Sequence, residues 1–165
     1  MAEYWDLYDC NRRPTGEIHR RGKPVPENRY HLVVQVWVRN DAGEFLISRR
    51  HPDKPFGMHW ECTGGSVTSG EDSITGALRE VNEELGIRLV PEDLALIRTE
   101  CRECYRDFVD NYTARWNGSL SELKLQETEV VDAKWVTFDE LCAIDAAGEL
   151  VPTLKYFREQ FASGR

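Results

Sequence analysis

The segment from Arg79 to Gly86, REVNEELG, places Glu80, Glu83 and Glu84 within five positions at helical spacing. Like charges three and four residues apart on a helix repel by a few tenths of a kcal/mol per pair, so the cluster gains nothing unless something of opposite sign meets it. Ile74, Leu78, Val81 and Leu85 follow one another at intervals of four, three and four. At roughly 100° per residue they form one apolar stripe that must face a core, with the three acids on an arc on the other side. Any fold open to this chain must therefore lay this helix on a scaffold; the acids, read from spacing alone, are most simply a solvated face, and a further use for them has to come from the wider sequence.

The scaffold is readable on both sides of the helix. HLVVQVWV at 31–38 is β-rich, NDAG at 40–43 is a turn, and EFLISRR follows as a second strand. A proline and glycine loop, HPDKPFG, leads into HWECTGG, a short strand ending in paired glycines. Beyond the helix, GIRLVPEDL leaves the helical path at Gly86 and turns at Pro91. LALIRTEC, YRDFVDNYTARW and VVDAKWVTF read as three further strands, FDELCAI and TLKYFREQFAS as helices, and residues 1–30 as a strand or hairpin extension. The expected fold is α/β, a mixed β-sheet sandwiched between α-helices, in a single domain over 1–165.

Composition excludes several classes of partner. A net charge of −8, from 29 acids against 21 bases, argues against binding a nucleic-acid polymer or an anionic membrane surface. No apolar run approaches the roughly 18 residues that could span a bilayer. The start, MAEYWDLYDCNRR, lacks an apolar core flanked by basic residues, so no signal peptide is expected; with an odd count of five cysteines, reduced thiols and a cytoplasmic location follow. CREC at 101–104 would need two more ligands to hold zinc, from Cys10, Cys62 or His31, and reads more simply as a strand and its turn. The oligomeric state stays open, a homodimer being the assembly to test.

The acids belong to a wider frame. Gly65 is followed after five free positions by Glu71, then after seven more by Arg79, Glu80, Val81, Glu83, Glu84, Gly86 and Ile87. This frame, residues 65–87, resembles the signature of the Nudix hydrolases at all nine of its fixed or class-restricted positions. The resemblance implies the Nudix fold and a metal-dependent hydrolase that cleaves a diphosphate linkage in a nucleoside diphosphate derivative or a related small organic diphosphate. Such an ester resists attack by water until cations screen its charge, and hard Mg²⁺ or Mn²⁺ asks for oxygen ligands one helical turn apart. By resemblance Glu80 and Glu84 are metal ligands, Glu83 adds a ligand or a water contact, the carbonyl of Gly64 reaches a metal, and Arg79 and Glu71 form a buttressing ion pair. Gly64 and Gly65 also leave room for backbone to pass close to metal and phosphate. The general base lies by resemblance in a later loop, where KLQETEVVDAKWV supplies Glu129 and Glu127, or on the helix as Glu80.

The stretch from WDLYD and PTGEIHRRG to RYHLVVQVWVRNDAGEFLISRRHPDKPFGMHW is similar to the isopentenyl diphosphate isomerases and the isomerase-like Nudix hydrolases. In that frame Arg50 and Lys54 match the residues that hold the diphosphate, and Arg49 is a third candidate for substrate binding, although strand alternation points neighbours to opposite faces. The departures weigh against isomerisation: where those enzymes carry a catalytic cysteine followed by glycine, histidine and proline, this chain has Gly64, Gly65, Ser66 and Val67. Cys62 lies two positions upstream and is no ready substitute. His31 matches one isomerase ligand, and a lone histidine opening a strand is more often structural. Trp37, Trp60, Tyr112 and Trp116 are of a kind that could stack on a base, although aromatics in strands usually belong to the core. A Nudix-like domain that senses a ligand without turnover is the third reading.

Overall fold

The structure is a computed structural model describing residues 3–162. Its centre is β3 (His31–Arg39), whose even-numbered residues Leu32, Val34, Val36 and Val38 are buried toward one core while Trp37 points into a second. This follows from the two-residue period of a strand lined on both faces by apolar side chains. The first core lies under α1 (Ser73–Leu85), the second under α2 (Phe138–Ala146) and α3 (Phe157–Phe161), so the sheet is sandwiched between helices. Each fully buried Val, Leu or Phe contributes about 1.5–3 kcal/mol relative to exposure.

The sheet is mixed. β3 runs parallel to β8 (Asp107–Arg115), which pairs antiparallel with β7 (Leu94–Arg102). Along its other edge β3 pairs first with β6 (Thr63–Ser66) and then with β4 (Phe45–Arg50). β4 in turn pairs with β5 (Trp60–Glu61) and β9 (Val130–Val136). HWECTGG is thus two short strands broken at Cys62, which changes partner from β4 to β3, and Gly64 and Gly65 lie opposite Gln35 and Val34. A separate hairpin, β1 (Tyr4–Tyr8) and β2 (Pro14–Arg20), is tied to the domain by Arg12, which donates both guanidinium nitrogens to buried Asp110. Among the described residues no helix is long and apolar enough to cross a membrane.

Two sequence expectations are corrected. The buried face of α1 is Gly76, Ala77, Val81, Glu84 and Leu85, while Ile74 is 39% exposed and Leu78 only half-buried. Small residues decide this: a Cβ on Gly76 would stand 2.9 Å from the Val67 side chain, so the helix approaches the sheet on its Gly76–Ala77 side and rotates toward its acids. The closing TLKYFREQFAS is a 3₁₀ turn, Pro152–Leu154, and then the short α3, with Lys155 and Tyr156 between them. Pro152 supplies the fixed φ of a first helical turn, and Tyr156 spends its hydroxyl on Gln35 and Asn111 in the sheet.

Candidate active site

Asp72 caps the N-terminus of α1 by accepting from the Thr75 amide, and Gly86 ends the helix with φ 73°, a left-handed conformation that glycine reaches without strain. The carbonyls of its last turn do not go unpaired. Lys124 N–H donates to Leu85 O at 2.9 Å and Gln126 N–H to Glu84 O at 3.1 Å, so the segment before β9 is laced to the end of the helix. That segment delivers Glu129, whose own N–H donates to Gln126 O and whose carbonyl accepts from His51 N–H.

Around the exposed side of this junction lies one acidic cleft lined by Glu80, Glu83, Glu84, Glu129, Lys54, Arg79 and the backbone at Gly64–Gly65. Arg79 is its hub. Its Nε and Nη2 donate to the Glu71 carboxylate at 2.9–3.2 Å, Nη2 also donates to Ser66 O at 3.0 Å, and Nη1 donates to Glu80 at 2.9 Å and Glu83 at 3.0 Å. Burial would raise the Glu71 carboxyl, but hydrogen bonds from Arg79 and Thr68 hold it below the usual carboxylate range. Burial raises Glu80, against the opposing pull of Arg79.

Glu84 is the unusual member. It is 2% exposed, its Oε2 has no hydrogen-bond partner, and Lys54 Nζ lies 3.9 Å from its Oε1. Burial, reinforced by the nearby Glu61 carboxylate, pushes its carboxyl well above the usual range. A buried carboxylate oxygen without a partner is costly, a cost that a bound cation would offset. The glycines make the same point from the other side: a Cβ on Gly65 would sit 2.4 Å from Glu80 Oε1, so the absence of a side chain is what gives the Glu80 carboxylate its position. Hard oxygen donors in this arrangement suit Mg²⁺ or Mn²⁺. Among the described residues no three potential ligands already converge on one point; Lys54, which also pairs with Glu129, and Arg79 stand between the acids.

The sequence-derived candidates separate in space. Glu71, Arg79, Glu80, Glu83, Glu84, Gly64, Lys54 and Glu129 come together, whereas Glu127 is exposed and does not line the cleft. Arg50 lines an adjoining cavity with its guanidinium engaged by Glu61 at 2.6–2.7 Å. Arg49 turns away, donating to Met58 O and lying 5.5 Å over the Trp60 ring. The four candidate stacking aromatics are packing residues: Trp37, Trp60 and Tyr112 are buried, and Trp116 stacks on Trp135. His31 is buried against Trp5, with ring centroids 4.0 Å apart. Cys62 is buried beside Trp37, and burial pushes its thiol well up. Sequence reasoning missed Glu61, Arg21, Phe56 and Tyr105. Arg21 lies within the charged PTGEIHRRG stretch, and Phe56 and Glu61 lie two and three residues from the candidates Lys54 and Gly64, whereas Tyr105 comes from the distant β7–β8 turn.

Comparison with known proteins places the chain in a family. The NUDIX domain family model matches residues 29–161. The chain belongs to the Nudix hydrolase family. An uncharacterised Nudix hydrolase of Listeria monocytogenes is 38% identical over 156 residues, covering 91% of this chain and 89% of the relative. The isopentenyl-diphosphate Delta-isomerase of Escherichia coli is 26% identical, covering 88% and 84%. A Deinococcus radiodurans protein of known crystal structure superposes with a TM-score of 0.78 at 24% identity, covering 96% of this chain and 99% of that one, a likeness that speaks to the Nudix fold.

Proposed function

We propose that this Nudix hydrolase requires a divalent cation, Mg²⁺ or Mn²⁺, and splits the diphosphate linkage of a small organic diphosphate. The observation that carries the reading is the partnerless, buried Oε2 of Glu84, set one helical turn from Glu80 and beside the glycine backbone of β6. Glu80, Glu84 and the Gly64 carbonyl would hold the cation and Glu83 would complete its surroundings, while Arg79, locked by Glu71, orients Glu80 and Glu83. When bound, the cation supplies charge screening and Lewis acidity at the phosphate. Lys54 and Arg50 supply fixed positive charge along the diphosphate. Glu129 takes the proton from the attacking water as the phosphorus–oxygen bond of the leaving phosphate breaks.

Isomerisation of a prenyl diphosphate, despite the similarity to the Escherichia coli isomerase, lacks its thiol: by the sequence resemblance Gly64 stands at that position, and Cys62, at the cavity wall, is only 2% exposed. A panel of organic diphosphates incubated with millimolar Mg²⁺, with products identified by mass, tests the reaction class. Glu84→Gln should abolish most turnover while circular dichroism stays native, because the change relieves repulsion on the helix. Unchanged turnover in that variant at saturating Mg²⁺ would sink the assignment.

A further inference from the structure

Beside the acidic cleft, and sharing with it Lys54 and the Gly64–Ser66 backbone, lies a second cavity of about 240 Å³. Two aromatic residues line it and yet remain exposed, Phe56 at 42% and Tyr105 at 48%. Both are held in place. Phe56 has φ 55° and Met58 φ 66°, conformations that L-residues seldom adopt, inside a loop so tight that a Cβ on Gly57 would strike the Pro52 carbonyl at 2.3 Å. The loop is closed by Met58 N–H to Arg50 O and His59 N–H to Phe56 O, and the Phe56 ring meets the His59 ring edge-on at 6.0 Å. Tyr105 sits on the β7–β8 turn with the Arg102 guanidinium 4.8 Å over its ring, and that guanidinium is fixed by two hydrogen bonds to buried Asp107. Backbone strain that presents an exposed ring at a cavity beside charged groups is the kind found at ligand clamps.

We propose that Phe56 and Tyr105 are the specificity-determining pair of this enzyme, taking a flat ring of the substrate's organic group while the diphosphate extends past Lys54 into the acidic cleft. This rests on the diphosphate hydrolase reading and adds to it the residues that choose among diphosphates. A planar heteroaromatic ring fits better than an aliphatic tail on two grounds. Ring faces offer broad dispersion contact to another flat ring. The remaining wall is mixed, with Val33, Pro55 and Val151 beside the polar Gln35, Thr153 and Arg50–Glu61 pair; a hydrocarbon would desolvate the polar groups without returning a hydrogen bond, whereas a ring bearing its own donors and acceptors can return them.

The test is the ratio of kcat/KM for adenosine 5′-diphosphate to that for isopentyl diphosphate, measured in the parent and in four variants. Phe56→Leu and Tyr105→Leu keep apolar bulk and remove the flat face, and each should lower the ratio by roughly five- to hundredfold, the range for loss of one aromatic stack. Phe56→Tyr and Tyr105→Phe should retain it. A ratio unmoved by either leucine variant, or lowered as much by the conservative changes, overturns the assignment. Should the parent hydrolyse neither compound, the wider diphosphate panel decides the hydrolase reading, and calorimetric titration with non-hydrolysable adenosine methylenediphosphonate decides the clamp. Weaker binding in the leucine variants alone supports it, and equal binding in all five proteins overturns it.

Discussion

Glu129 is the one acid of the later loop whose backbone is pinned at both ends and whose carboxylate enters the cleft, where Lys54 holds it. Glu127, two residues away, points to solvent. If Glu129 is the base, Glu129→Gln lowers turnover by roughly two to four orders of magnitude with little change in Mg²⁺ affinity, while Glu127→Gln changes neither. A metal ligand would instead lose both, so steady-state kinetics across a Mg²⁺ titration separates the roles; if neither variant slows the reaction tenfold, the base lies on the helix. At this scale the acids on α1 were legible through the nine-position frame from Gly65 to Ile87, since their spacing alone reads as a solvated face. The burial of Glu84 was not. It depends on Lys54, Glu61 and Gly64, from the loop and short strands at positions 54–64, folding back against the helix, and no local pattern carries that.

Neighbouring glycines in β6 do different work although they read alike as sequence. A Cβ on Gly64 would lie 2.3 Å from the Val34 carbonyl, which is sheet backbone and cannot yield, whereas a Cβ on Gly65 would meet the movable tip of Glu80. Gly64→Ala should therefore cost about 3 kcal/mol of stability through overpacking. Gly65→Ala should leave the urea midpoint near the parent's and lower turnover on the order of a hundredfold by shifting a catalytic-site carboxylate. Comparing unfolding curves with turnover for the two variants checks both claims; reversed outcomes would show that the Glu80 position is not set by β6. The strands were legible as elements, since alternation and turn residues mark them locally. The phase of α1 was not, because Gly76 and Ala77 count as weakly apolar in a pattern and as the closest approach in a packed structure.

The molecule as a whole joins a hairpin to the Nudix domain through Arg12–Asp110 and through the stacking of Trp5 on His31. Burial holds the His31 imidazole down at about 4, against 6.5 for the exposed group. Between those values the unfolded chain binds a proton that the folded chain refuses, so the stability due to neutral His31 is fully present above pH 6.5 and is lost as pH falls toward 4. By pH 5 about 2 kcal/mol of it is gone. His31→Phe keeps the stack and removes the titration, so between pH 7 and pH 5 the unfolding free energy of the variant should gain about 2 kcal/mol on the parent; a constant difference would show that the imidazole is not buried neutral. The hairpin was readable as strands, but its anchorage was not, since Arg12 and Asp110 are 98 positions apart.

The lacing of the segment before β9 onto the end of α1 has a kinetic corollary. Because Lys124 N–H and Gln126 N–H take the carbonyls of Leu85 and Glu84, neither the helix end nor the loop can open without freeing the other. In native-state deuterium exchange the amides of Gly86, Lys124 and Gln126 should then be released together, with one opening free energy and one response to denaturant. The acids that would hold the cation and the acid that would activate the water would breathe as a single unit, and their relative geometry would survive every motion short of that shared opening.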